Sequence, residues 1–318
     1  MEAVKTLQQA IITFAEYENC RQFMTELRWS KGVTCPRCGS EHVTYLEKAR
    51  VWKCYGKHAS PKFSLKTGTV FEDSPIGLEK WLPVMWMLVN AKNGISSWEI
   101  HRSMGVTQKT AWFMLQRCRL ALQDEKTGGK LSGEVKVDET FIGGKARNMH
   151  ANVKERKLLS QGRGIENKEI VLGMVERGGK VRTMHVAKRS KPILQQQIRE
   201  HVEVGAAIFT DDELKSYEGL SEFNHEVINH AVEYVRGNVH TNTMENFWAL
   251  TKRALHGTYV SMEPFHLFKY LDEEAFRYNN RLGMDDGDRF RYTMRKVVGK
   301  RLTDAELIGK EGETKVPF

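Results

Sequence analysis

Three carboxylates stand where short apolar runs end or begin. Asp138 closes the run Glu134-Val135-Lys136-Val137-Asp138, and Asp211 closes a second run, Ala206 to Thr210. Both runs are rich in Val, Ile or Phe and read as strands, so both carboxylates fall at strand ends. Burying unpaired carboxylates costs free energy unless a cation neutralises them. Glu245 stands at the start of a helical run, MENFWALTKRAL, with Trp248, Ala249 and Lys252 at its i+3, i+4 and i+7 positions. Lys252 therefore shares a face with Glu245, and Arg253 lies beside it. A carboxylate and basic groups on one face suit a metal ion and a phosphate backbone together. Three carboxylates from separate elements can hold two Mg²⁺ (or Mn²⁺) ions, which activate an attacking oxygen and stabilise the leaving oxygen of a phosphodiester. Glu139 and Asp212 flank the two aspartates, so spacing leaves the choice open by one position.

A second cluster is built for a different ion. Cys35-Pro-Arg-Cys38 is a knuckle whose two thiolates can reach one metal. Cys54 follows a strand-like run, and His58 lies four residues further on, in CYGKH. Together they offer the Cys₃His set of a structural Zn²⁺, with His42 as the rival for the fourth position. The alternative is a set of buried free thiols, the reading that Cys20 and Cys118 receive on their helical patterns. The chain has five cysteines, an odd number that argues against a disulfide framework.

A third segment, GISSWEIHRSMGVTQKTAWFMLQRCRLAL, has apolar residues at Ile95, Trp98, Ile100, Met104, Val106, Ala111 and Leu115. Gly105 sits where two short helices would turn, and Thr107 is a natural N-cap for the second. That helix is expected to present Gln108, Lys109, Thr110, Trp112, Gln116 and Arg117, several of them exposed, with Gln108, Lys109, Thr110 and Arg117 as the candidate contacts to the major groove of DNA. An ordinary helical hairpin in a core has the same pattern. The neighbouring zinc module and the basic balance of the chain favour DNA.

The elements that must position these residues fall into five segments. Residues 1–28 are helical in pattern. Residues 29–74 form the cysteine module, with eight Lys/Arg against two Asp/Glu over 31–70. Residues 75–123 hold the helix-turn-helix pattern, and DEKTGGKLSG reads as a linker. Residues 133–282 carry strand runs, a basic loop, a helix PILQQQIREHV and closing helices, an α/β arrangement with a mixed sheet. Residues 283–318 read as a basic C-terminal tail. The fold class is therefore α+β and multidomain.

The 318 residues carry 49 Lys+Arg against 40 Asp+Glu, a net charge of +9. That balance favours a polyanionic partner, and the ordinary shares of apolar (40%) and charged (28%) residues exclude collagen, a disordered tail protein and a disulfide scaffold. No run approaches the roughly 20 apolar residues of a membrane span; Trp81 to Val89 is too short. The N-terminus lacks the basic start and apolar middle of a signal peptide. A cytoplasmic, nucleoid-associated protein is expected.

Taken in order, CPRCGS, FSLKTGTVFEDSPIGLEKW, the helix-turn-helix, VDETFIGG, TDDELKSYEGL and NHAVEYVRGNVHTNTMENFWALTKR resemble bacterial insertion-sequence transposases of family fifteen-ninety-five. The resemblance covers nearly all of residues 10–282; the second CxxC knuckle of many relatives is here CYGKH. It implies an N-terminal zinc ribbon and an RNase H-like DDE catalytic domain. It implies cleavage at the element's terminal inverted repeats, then attack of the freed 3′-hydroxyl on target DNA. Within it the carboxylates fall on Asp138, Asp211 and Glu245, with 33 residues between the last two. His240, Asn242, Lys252 and Arg253 match family positions; His240 and Asn242 are expected either to support the carboxylate site or to contact DNA, and Lys252 and Arg253 to contact the DNA backbone. The implied partners are double-stranded DNA and at least a second copy of the chain in the complex that joins two ends. A DNA-binding descendant without catalysis, and a nuclease that cuts without joining, are the alternatives.

Overall fold

The structure is a computed structural model, and it describes residues 4–123, 129–143, 168–211, 215–228, 235–236, 239–240, 242–260 and 262–309. The basic loop at 145–164 lies outside the described residues, as does Asp212. The chain divides into two compact units: Met1–Gln123 with Asn280–Phe318, and Asp124–Asn279.

In the first unit the N-terminal segment forms two helices, α1 (Leu7–Ala15) and α2 (Tyr17–Arg28), broken at Glu16, which is extended. A capping box between Thr6 and Gln9 starts α1. The strands β1 (Val43–Leu46), β2 (Val51–Cys54) and β3 (Lys62–Phe63) form an antiparallel meander. Trp52 stacks on Phe63 at 5.8 Å, and Trp29 closes edge-on against Trp52 at 5.6 Å. Helix α3 (Leu78–Asn90) is buried from Trp81 through Val89. Its all-round apolar surface is that of a core helix. Helices α4 (Ser97–Met104) and α5 (Gln108–Leu122) follow.

Residues 283–309, expected as part of a basic tail, pack into this unit. Helix α9 (Asp286–Arg295) brings Phe290 against Phe14 and Phe23, at 5.8 and 5.5 Å. The Val70 N–H donates to the Val297 carbonyl at 3.0 Å. Lys300 donates to the carbonyls of Leu120 and Gln123 at the end of α5, where a cation meets the negative helix end. The signal was present but thin: Phe290, Met294 and Val297 are buried at i, i+4 and i+7, amid many charges. A short helix α10 (Asp304–Leu307) closes the described chain.

The second unit is a five-stranded sheet in the order β6-β5-β4-β7-β8. β4 (Glu134–Ile142), β5 (Glu169–Glu176) and β6 (Val181–Val186) form an antiparallel meander. β7 (Ala207–Asp211) and β8 (Asn224–Ile228) run parallel to β4. Helix α6 (Lys191–His201) covers one face, burying Leu194 and Ile198 with Val135, Val137, Leu172 and Met174. A small ladder pairs β9 (Val235–Arg236) with β10 (Val239–His240). It leads into α7 (Asn242–Arg253), which with α8 (Leu267–Asn279) covers the opposite face, burying Met244, Phe247, Trp248 and Leu271 against Val171 and Val175. Alternate residues of β4 and β5 thus enter different cores, as the two-residue strand period requires. The result is a mixed α/β unit of three layers.

Candidate active site and metal centre

Asp138, expected to close its strand, lies instead inside β4, the central strand of the sheet, because pairing with β5 carries the strand on to Ile142. The parallel ladder to β7 runs Glu134↔Ala207, Val135↔Ile208, Lys136↔Phe209. Asp138 and Asp211 each stand two positions beyond the last of these pairs, so the register sets them level on neighbouring strands. Glu245 is exposed in the first turn of α7. Three residues on, the Trp248 indole Nε1 donates to Asp138 Oδ2 at 3.0 Å. This contact ties the helix that carries the third carboxylate to the strand that carries the first.

Gly173 makes that approach possible. It pairs with Asp138 across the β4–β5 ladder. A Cβ there would fall 1.8 Å from Met244 Cε and 2.4 Å from Trp248 Cζ2. Neither Trp248 nor Gly173 was singled out as a site residue on sequence grounds. The i+3 spacing of Trp248 from Glu245 was the available signal.

The pleat also separates Asp138 from its neighbour. Glu139 points to the α6 face, where its side chain is only 2% exposed and Arg189 Nε lies 3.6 Å from its Oε1. Burial pushes its carboxyl above the usual range, while the neighbouring Tyr217 hydroxyl and the Arg189 guanidinium pull the other way. Asp138 alone of the two faces α7.

His240 closes β10 and Asn242 opens α7. Lys252 and Arg253 are exposed in the last turn of α7, open to an anionic partner.

In the first unit the donor atoms of Cys35, Cys38, Cys54 and His58 all lie within 4.8 Å of one another. Cys38 and Cys54 Sγ are 3.6 Å apart, and Cys35 Sγ is 3.6 Å from His58 Nε2. Two thiolates on one tetrahedral zinc, each at about 2.3 Å, stand about 3.8 Å apart. The Gly56 N–H donates to Cys54 Sγ at 3.2 Å. A Cβ on Gly56 would fall 3.0 Å from Cys38 Sγ and 3.3 Å from Cys54 Sγ, so this glycine leaves room for the cluster. His42 instead packs on the Tyr55 ring at 4.7 Å. The cluster therefore fits Zn²⁺, and His58 completes it. Cys20 and Cys118 are buried in the core.

Helices α4 and α5 turn at Gly105, which has a left-handed φ of 59°. Thr107 caps α5 by accepting from the Thr110 N–H at 3.1 Å. Lys109 is exposed, whereas Gln108 and Thr110 are half-buried; the Gln108 amide donates to Ser97 Oγ at 2.8 Å. Arg117 departs from expectation. It is 5% exposed and donates to the carbonyls of Val70, at 3.2 Å, and Glu72. At 100° per residue it lies half a turn around α5 from Gln108, on the face turned inward. Arg28 and Lys66 bind carbonyls of the same segment, Leu65 and Thr67 for Arg28, Ser74 and Ile76 for Lys66. Three cations thus hold the loop between the ribbon and α3.

Among the described residues no helix is long and apolar enough to cross a membrane. The ISXO2-like transposase domain matches residues 130–279, which hold all three carboxylates. A transposase zinc-ribbon domain matches residues 17–56, which hold the three cysteines of the cluster. An uncharacterized protein in transposable element ISH50 of Halobacterium salinarum is 30% identical over 255 residues, covering 77% of this chain and 85% of that protein.

Proposed function

The chain belongs to the ISXO2-like transposase family, and from that premise we propose that it is a DDE transposase acting on the ends of an insertion sequence. The observation that carries the reading is the level register of Asp138 and Asp211 beside a helix that bears Glu245 and is tied to Asp138 through Trp248. The strand order supports an RNase H-like catalytic domain: an antiparallel meander of three strands, then two parallel strands, with the first carboxylate on the central strand.

In this reading Asp138, Asp211 and Glu245 hold two Mg²⁺ or Mn²⁺ ions. Such ions supply activation of the attacking oxygen and stabilisation of the leaving oxygen. Lys252 and Arg253 take the DNA backbone near the reacting phosphate, with His240 and Asn242 close by in the chain. Water makes the first attack and frees a 3′-hydroxyl at the element end. That hydroxyl makes the second attack, on a target phosphodiester. The ribbon, holding one structural Zn²⁺ through Cys35, Cys38, Cys54 and His58, and the start of α5, where Lys109 is exposed, bind the terminal inverted repeats. Joining two ends requires at least two copies of the chain in the working complex.

A Mg²⁺-dependent cleavage and strand-transfer assay on the DNA flanking the gene tests this, with wild type and Asp211→Ala side by side. Joined products from wild type alone are expected. Specific end binding with no cleavage by either would replace the reading with a DNA-binding descendant. Cut but unjoined ends would replace it with a nuclease.

A further inference from the structure

We propose that Trp248 is a positioning residue for the first carboxylate: its indole N–H holds Asp138 in the orientation that receives a divalent ion. The inference rests on the assignment of Asp138 to the catalytic triad. Trp248 is 5% exposed and lies in the core that α7 and α8 form with the sheet. A buried indole N–H needs an acceptor, and this one meets Asp138 Oδ2 at 3.0 Å. An ionised carboxylate has about four acceptor positions on two oxygens. The N–H at Oδ2 takes one of these positions and restrains the carboxylate's rotation.

Two further observations show that the contact is built in. Gly173 opposes Asp138 in the ladder, and any larger residue there would collide with Trp248. Trp248 also packs against Phe247, with ring centroids 5.2 Å apart. The indole therefore has little freedom to turn away. The same side chain is three residues from Glu245, so fixing it on Asp138 sets the first turn of α7 relative to β4. Groups that orient a metal-binding carboxylate in this way govern metal affinity as well as rate.

Trp248→Phe keeps most of the ring volume and removes the N–H. With the full chain, this variant is expected to raise the Mg²⁺ concentration for half-maximal cleavage by about 10-fold, with end-DNA binding and thermal unfolding close to wild type. In wild type labelled with ¹⁵N-indole tryptophan, the Trp248 Nε1–H resonance, assigned by its loss in Trp248→Phe, is expected to shift as Mg²⁺ is added. Trp248→Tyr serves the same purpose if the Phe variant fails to fold. An unchanged Mg²⁺ half-point, or an indole resonance insensitive to Mg²⁺, would overturn the positioning role. If wild type does not cleave at all, the transposase reading fails instead, and the Mg²⁺ response of the indole still decides this proposal.

Discussion

Asp138 and Gly173 are ladder partners, and the missing side chain of one allows helix α7 to reach the other. Gly173→Ala would set a methyl group against Met244 and Trp248. Overpacking of this kind typically costs about 1–3 kcal/mol. We expect that loss in chemical denaturation, together with a fall in cleavage as Trp248 leaves Asp138. Gly257→Ala, which meets nothing within 4 Å, should change neither. Equal stabilities for the two variants would contradict the close approach of α7.

Asp138→Ala and Glu245→Ala should each reduce strand cleavage by roughly 10³-fold or more, as removal of a member of an interdependent catalytic set does. Binding to element ends should stay within about twofold, since the ribbon and α5, proposed to read those ends, belong to the other unit. Gel-shift and cleavage assays on the same preparations separate the two effects. A variant that still cleaves at the wild-type rate would remove that residue from the triad.

His58→Ala should lose zinc and His42→Ala should keep it. The first supplies Nε2 to the cluster and the second packs on Tyr55. Cys35→Ala should behave like His58→Ala, with weaker end binding, because small zinc modules depend on the metal for their fold. Metal stoichiometry of the purified chains decides the matter; zinc retained in His58→Ala would reassign the fourth ligand.

Arg117 and Lys109 share a helix and should give opposite phenotypes. Arg117→Met strands the buried carbonyl of Val70 and the half-buried carbonyl of Glu72. We expect a stability loss of about 1.5–3 kcal/mol, the range for hydrogen bonds to a charged group, with the salt dependence of DNA binding unchanged. Lys109→Ala, at an exposed position, should leave stability alone and lower the salt slope of binding by about 1. A reduced salt slope in a fully stable Arg117→Met would return Arg117 to the DNA interface.

Much of the site could be read along the chain because it depends on near neighbours. Two thiolates two residues apart can chelate one ion, Val-rich runs make strands, and Thr107 ahead of an apolar stripe starts a helix. These are local constraints, and they located the cysteine cluster, put both aspartates on strands and set Glu245 in the first turn of a helix; that the first strand runs on past Asp138 to Ile142 they did not show. Other features depended on which faces meet. Asp138 and Glu139 are equivalent in sequence until the pleat sends one toward α7 and the other toward Arg189 and Tyr217. Arg117 is one more basic residue on a helix until the loop carbonyls turn toward it. Residues 283–309 look like a charged tail until Phe290 meets Phe14 and Phe23. The Trp248–Asp138 bond joins residues 110 positions apart. No local pattern encodes that pairing: it arises when α7 docks on the sheet, over the one β5 position where a glycine lets it close.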